Sequence, residues 1–266
     1  MAAALAALLA APAARGQSFT WLDPPQPGSG VADLSLGDGT IQRVLYRQPE
    51  QPVAALVLLG GGDGRVTIDG GGRLVQGGGS FLVRLRDTLL ARGFAIAVLH
   101  ASDPLWGVRS TPRYAEMLRQ VVEHVRSRTA VPIWLAGQSA GAVAATNGAA
   151  HLTGGEIAGL LLSSAITLKR PGSESVFSAG LERVTVATLV VAHVDDRCIG
   201  SPASEVDAVR RGLVTARTVE VMMIDGGPPP RADACQGESP HGFFGVEDRV
   251  IEQIARRIPA LQGGGS

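Results

Sequence analysis

Ile133-Trp134-Leu135-Ala136-Gly137-Gln138-Ser139-Ala140-Gly141 is the stretch on which the reading of the fold turns. Residues 133–136 form a short apolar run suited to a strand buried on both faces. After Gly141 the small residues Ala142 to Ala145 open a predicted helix. Between strand and helix lies G-x-S-x-G, which sets a serine on a sharp turn. Bulky residues two before or two after that serine would collide with neighbouring backbone. A serine at a helix N-terminus also sits where developing negative charge is stabilised. In a chain with 35 glycines the five-residue motif alone says little. Its strand–turn–helix setting makes Ser139 a candidate nucleophile.

Working outward, compact apolar runs recur at residues 53–59, 94–99, 157–162, 188–194 and 219–224. Helical patterns separate them. Tyr114, Met117, Leu118, Val121, Val122 and Val125 share one helical face, and Val246, Val250, Ile251, Ile254 and Ile258 nearly do so at the C-terminus. Phe81, Leu82, Leu85 and Leu89 mark a further helix that Gly93 breaks. Strands alternating with helices predict an α/β fold: a mostly parallel sheet, right-handed crossovers and helices on both faces. The stretch between the runs at 157–162 and 188–194 leaves little room for a large lid domain, so the site is expected to be open.

A serine hydroxyl needs a base to take its proton. The run at 188–194 ends in Asp195-Asp196-Arg197-Cys198, and His241 stands in Ser239-Pro240-His241-Gly242-Phe243, between the last strand and the last helix. The order Ser, acid, His is that of one nucleophile-elbow architecture. A glycine loop, Gly60-Gly61-Gly62-Asp63-Gly64, follows the first run. It lacks the Lys-Ser/Thr of a phosphate cradle, and G-x-G-x-x-G is not completed at Arg65. Of the other histidines, His124 is expected at a helix boundary, His100 in polar packing at a strand end and His151 at a helix end. His193 is placed to orient the acid-bearing loop.

From about Val53 to Ile258 these features resemble the α/β-hydrolase superfamily, nearest to small bacterial members of the dienelactone-hydrolase and carboxylesterase kind. The resemblance implies the α/β-hydrolase fold and a Ser139–His241–Asp triad. Such families place the acid as D-x-x-[VI], a frame that Asp196-Arg197-Cys198-Ile199 fits, so Asp196 is preferred to Asp195. It further implies an oxyanion hole built from the Ala140 N–H and a second N–H from Gly62 or Asp63. The chain departs from the family's H-G-x frame, since no histidine precedes its glycines. Residues 101–112 share the same sheet edge and carry Trp106, a candidate substrate contact. The glycine-rich residues 70–79 are a candidate rim.

Composition narrows the partners. With 266 residues, 45% hydrophobic, the chain suits one domain of the larger α/β kind, taken as residues 17–262. Net charge is zero, which draws it neither to nucleic acid nor to an anionic membrane. Residues 1–16, nearly all Ala and Leu at first, suit a signal peptide ending in the small-x-small triplet Ala14-Arg15-Gly16. A secreted or periplasmic location follows. Residues 263–266 (Gly-Gly-Gly-Ser) read as a linker. Two cysteines in an exported chain favour one disulfide, Cys198–Cys235, tying the acid loop to the histidine loop.

The expected reaction is hydrolysis of a carboxylic ester, small-molecule or polymeric, through an acyl-enzyme, with no metal and no cofactor. Amide or peptide cleavage on the same fold is the alternative. From a different class comes an inactive secreted binding protein on the same scaffold, since fold alone does not establish function.

Overall fold

The structure, a computed structural model, describes residues 29–168 and 174–263. The proposed signal segment and residues 264–266 lie outside them. Strands β1 (Gly30–Ser35) and β2 (Ile41–Arg47) form a hairpin, followed by β3 (Ala54–Leu59) and a small ribbon of β4 (Thr67–Ile68) and β5 (Leu74–Gln76). Then come α1 (Phe81–Arg84), α2 (Arg86–Ala91), β6 (Phe94–Leu99), α3 (Pro112–Arg126), β7 (Ile133–Gln138), α4 (Ala140–His151) and β8 (Gly159–Ser163). The chain closes with β9 (Ala187–His193), α5 (Val206–Gly212), β10 (Val219–Ile224) and α6 (Glu247–Gly263).

Among the described residues, eight strands make one sheet in the order β1-β2-β6-β3-β7-β8-β9-β10. Only β2 runs against its neighbours; from β6 to β10 every pairing is parallel. The physical reason is burial. Every residue of β3, β6, β7, β8 and β9 is buried, as a parallel strand covered on both faces requires. One apolar cluster packs α3 and α4 against the sheet, with Leu118, Val121 and Val125 facing Leu135 and Leu160. The other packs α1, α2 and α6 on the opposite face, with Phe81, Ile251 and Ile254 against Leu56 and Leu189. Thr111 caps α3 by accepting the Tyr114 N–H at 3.2 Å, and Pro112 opens its first turn.

Three details differ from the sequence pattern. The helix expected over Phe81 to Leu89 is two short ones that part at Leu85. The hairpin β1–β2 adds an antiparallel edge to the sheet. Helix α6 runs one residue into the stretch read as a linker, ending at Gly263. No large lid stands between β8 and β9: among the described residues that connection holds only a 3-10 turn at Leu181–Arg183. No helix among the described residues is long and apolar enough to cross a membrane.

Parallel strands deliver their following loops to one edge. The loops after β3, β6, β7, β9 and β10 therefore share the carboxyl edge, where α/β sheets open a crevice.

Candidate active site

Ser139 sits at φ 57°, ψ −122°, a left-handed backbone unusual for a residue with a side chain. Close packing enforces it. A Cβ on Gly137 would stand 2.2 Å from the Gly141 carbonyl oxygen, and one on Gly141 would stand 2.0 Å from that of Leu59. Strand, turn and helix thus approach so closely that both motif positions exclude any side chain. The Ser139 N–H donates to the Ser163 carbonyl at 2.9 Å, which anchors the turn to β8. Helix α4 is buried along its length from Ala140 to Ala150 and has no side-chain N-cap; the Ala142 N–H turns back to the Ser139 carbonyl at 3.0 Å, which leaves those of Ala140 and Gly141 for another acceptor.

At the end of β9, Asp195 and Asp196 part company. Asp195 is exposed, whereas Asp196 is 3% exposed. Asp196 Oδ1 accepts the Cys198 N–H at 2.9 Å, and its Oδ2 lies 2.9 Å from His241 Nδ1. A carboxylate only accepts, so this contact places the proton on Nδ1 and leaves Nε2 with a free lone pair. His241, 2% exposed, is held at its other end too: its carbonyl accepts from Ser164 Oγ at 3.0 Å and from Gln138 Nε2 at 3.5 Å. Ser201 Oγ lies 3.1 Å from the same Nδ1.

His193 supports the acid loop as its position suggested. Its Nδ1 accepts the Asp195 N–H at 3.1 Å, so Nε2 carries the hydrogen and donates to the Gly226 carbonyl at 2.8 Å. Cys198 and Cys235 form a disulfide that joins the acid loop to the loop before His241. His100 packs β4 onto the sheet by accepting the Ile68 N–H at 3.0 Å, and His151 bonds the Asn147 carbonyl within α4. His124 is partly buried, and that burial pulls its pKa below the usual value.

Ser139 and His241 open into one cleft of about 550 Å³, together with Gly62, Asp63, Ser80 and Cys235. Gly77 and Gly79, from the candidate rim, line it as well. In the glycine loop, the Gly61 N–H donates to Ser80 Oγ at 3.0 Å and the Gly64 N–H to the Gly61 carbonyl at 3.1 Å. The N–H groups of Gly62 and Asp63 are left without a partner among the described residues. Asp63 accepts from the Arg65 N–H and guanidinium, which hold its carboxyl below the usual carboxylate range. A Cβ on Gly61 would sit 3.1 Å from Ser139 Cβ, so this loop rests directly on the Ser139 turn.

A second cavity, about 320 Å³, is lined by Ala140, Trp106, Val143, Ile166 and Leu168, with Arg109 and Glu174. Trp106 is 61% exposed at its mouth. The structure thus gathers Ser139, Asp196, His241, Gly62, Asp63 and Ala140 at one edge, with Trp106 beside them. Sequence reasoning missed Ser80, Ser164 and Ser201, which brace the loops; no local pattern sets them apart from other loop serines.

No protein-family model matches this sequence, and no curated protein matches it. Solved structures do. An alpha-beta serine hydrolase homologue from Coxiella burnetii superposes at TM-score 0.59 with 17% identity, covering 86% of this chain and 96% of that one. A highly thermostable carboxyl esterase from Bacillus coagulans gives 0.60 and 14%, covering 87% and 98%. A puromycin-hydrolyzing peptidase from Mycobacterium tuberculosis gives 0.61 and 14%, covering 88% of this chain but 39% of that one. At such identities the likeness is one of architecture: the chain has the α/β-hydrolase fold.

Proposed function

We propose that this protein is a serine hydrolase that cleaves carboxylic esters through an acyl-enzyme, with Ser139 as nucleophile, His241 as base and Asp196 as its orienting acid. The observation that carries the reading is the Asp196 Oδ2–His241 Nδ1 contact of 2.9 Å, with His241 and Ser139 lining the same cleft. With Nδ1 engaged, Nε2 takes the Ser139 proton as Oγ attacks the acyl carbon, then delivers it to the leaving alcohol. Asp196 stabilises the imidazolium without taking the proton. The N–H groups of Ala140 and of Gly62 or Asp63 receive the tetrahedral oxyanion. Water, activated by the same Nε2, releases the acid.

Proton delivery also sets the substrate's direction. The leaving alcohol must lie on the His241 side, in the larger and more polar cleft. The acyl group then points past Ala140 to the cavity beside Trp106, where Val143, Ile166 and Leu168 suit an apolar chain and Arg109 and Glu174 complete the wall. Export of the mature chain fits the disulfide, which oxidising compartments preserve. Amide cleavage is the second reading, favoured by the peptidase among the similar structures.

The test is labelling by a fluorophosphonate, followed by turnover of p-nitrophenyl esters of graded acyl length against peptide anilides. Labelling is expected in the wild type and abolished in Ser139→Ala. Asp196→Asn should lower kcat by about 10⁴-fold, since the wrong tautomer is then favoured, with Asp195→Asn near wild type. Faster turnover of anilides than of esters would move the reading to the amidase. A folded wild type that never labels would leave only a binding role.

A further inference from the structure

Arg109, in the loop between β6 and α3, is 1% exposed. Neither its Nε nor its Nη1 has a hydrogen-bond partner among the described residues. No carboxylate of those residues lies within ion-pair distance of it. Glu174 is spent on the Gly107 N–H and on Ser110, and Asp63 on Arg65. Burial lowers the Arg109 pKa, yet a guanidinium remains charged in any working range. Its guanidinium carbon lies 5.4 Å from the centroid of the Trp106 ring, a cation–π contact, but a buried cation with one hydrogen bond and no carboxylate partner is still costly to keep. The chain nevertheless makes room for it: a Cβ on Gly64 would stand 2.4 Å from Arg109 Nη2. Asn147, on the helix that Ser139 opens, donates to the Arg109 carbonyl at 2.9 Å and to that of Thr111 at 2.8 Å.

The one hydrogen bond its guanidinium makes explains the expense. Nη2 donates to the Gly62 carbonyl at 2.9 Å. A trans peptide points its C=O and the following N–H in opposite directions. With the Gly62 oxygen drawn inward to Arg109, the Asp63 N–H points outward, to the cleft that Gly62, Asp63 and Ser139 line together. We infer that Arg109 is a positioning residue for the oxyanion hole: it aligns the Gly62–Asp63 peptide so that the Asp63 N–H, rather than that of Gly62, is the second donor. Resting on the serine-hydrolase reading, this removes its open choice between the two donors. The cation also polarises the peptide it holds, making Asp63 N–H a stronger donor, and its charge favours an oxyanion through a low-dielectric path.

The ammonium of Arg109→Lys retains a charge and a donor, whereas Arg109→Met keeps the volume without either. The measurement is the rate of fluorophosphonate labelling alongside the thermal midpoint. Arg109→Met is expected to label on the order of 10²-fold more slowly, the scale of losing one oxyanion donor, with its midpoint unchanged or raised, because a buried charge without a carboxylate partner has gone. A packing role predicts the reverse, a lower midpoint with labelling retained. In Arg109→Lys the rate should recover near neutral pH and fall at alkaline pH, where a buried ammonium loses its proton below the usual lysine range; the wild type should show no such fall. Wild-type labelling with Arg109→Met equally fast would overturn the inference and leave the serine-hydrolase reading standing. Should Arg109→Met fail to fold, an Arg109→Lys profile parallel to wild type would overturn it as well. A folded wild type that does not label would overturn both.

Discussion

The turn that carries Ser139 and the two loops that carry Asp196 and His241 meet at one cleft, yet different physics holds each in place. The turn is fixed by exclusion. Gly137 lies against Gly141, and Gly141 against Leu59, at distances where no Cβ fits, so the backbone has one way to pass. The loops are fixed by attachment. Asp196 and His241 are braced by Cys198 N–H, Ser201 Oγ, Ser164 Oγ, the His193 ring and the Cys198–Cys235 disulfide. Exclusion leaves no partial states, whereas attachments are removed one at a time. Perturbing the turn should therefore fail abruptly, and perturbing the loops should fail by degrees.

The largest effect belongs to the turn. Gly141→Ala puts a methyl group into the Leu59 carbonyl and near that of Gly60, both backbone atoms that cannot swing aside. The expected cost is about 3 kcal/mol of stability, the upper range for overpacking a tight site, together with loss of fluorophosphonate labelling. Urea unfolding and labelling rate measure the two. A variant with near wild-type midpoint and rate would show that the turn yields, and the contrast with the loops would disappear.

This contrast also governs what the sequence disclosed. An excluded side chain leaves its mark as spacing, and G-x-S-x-G after Ile133 to Ala136 is that mark, so the turn and the parallel strands around it were legible. That Asp196 and His241 would meet was legible because β9 and the loop after β10 must deliver their residues to the carboxyl edge. The choice between Asp195 and Asp196 was not settled by adjacency alone; one turns to solvent and the other inward, a difference made by tertiary packing. Ser164, Ser201 and Arg109 were invisible because hydrogen bonds across distant loops impose no local period. The hairpin of β1 and β2 escaped because its strands, with exposed and half-buried residues such as Asp33 and Gln42, lack the continuous apolar run of a central strand. The ribbon of β4 and β5 is too short for any period to register within a glycine-rich stretch.

On the loop side the disulfide is the strongest single attachment. It closes a separation of 37 residues, and removing such a cross-link costs about 2–4 kcal/mol, chiefly by freeing the unfolded chain. Cys198→Ser with Cys235→Ser should lower the urea midpoint accordingly and slow labelling several-fold, as Asp196 and His241 sample more positions. Labelling should persist, because the Ser139 turn does not depend on the bridge. Complete loss of labelling in a folded double variant would show that the loops have no other effective brace.

Ser201 supplies the smallest step. Its Oγ approaches His241 Nδ1 at 3.1 Å while Asp196 Oδ2 stands at 2.9 Å, so the Nδ1 hydrogen is shared unequally between a hydroxyl and a carboxylate. The carboxylate, being charged, is the stronger acceptor. Ser201→Ala therefore leaves the tautomer and the main bond intact and removes a secondary constraint on ring rotation. The expected loss is about 1 kcal/mol, one ordinary hydrogen bond, seen as a several-fold lower kcat with KM unchanged. Combined with Asp196→Asn, the second loss should be smaller than the first alone, because both variants act on the same nitrogen and coupled sites are not additive. Fully additive losses would mean that Ser201 serves the loop around Gly200 rather than the imidazole, and the loops would then be braced by one contact fewer than the geometry suggests.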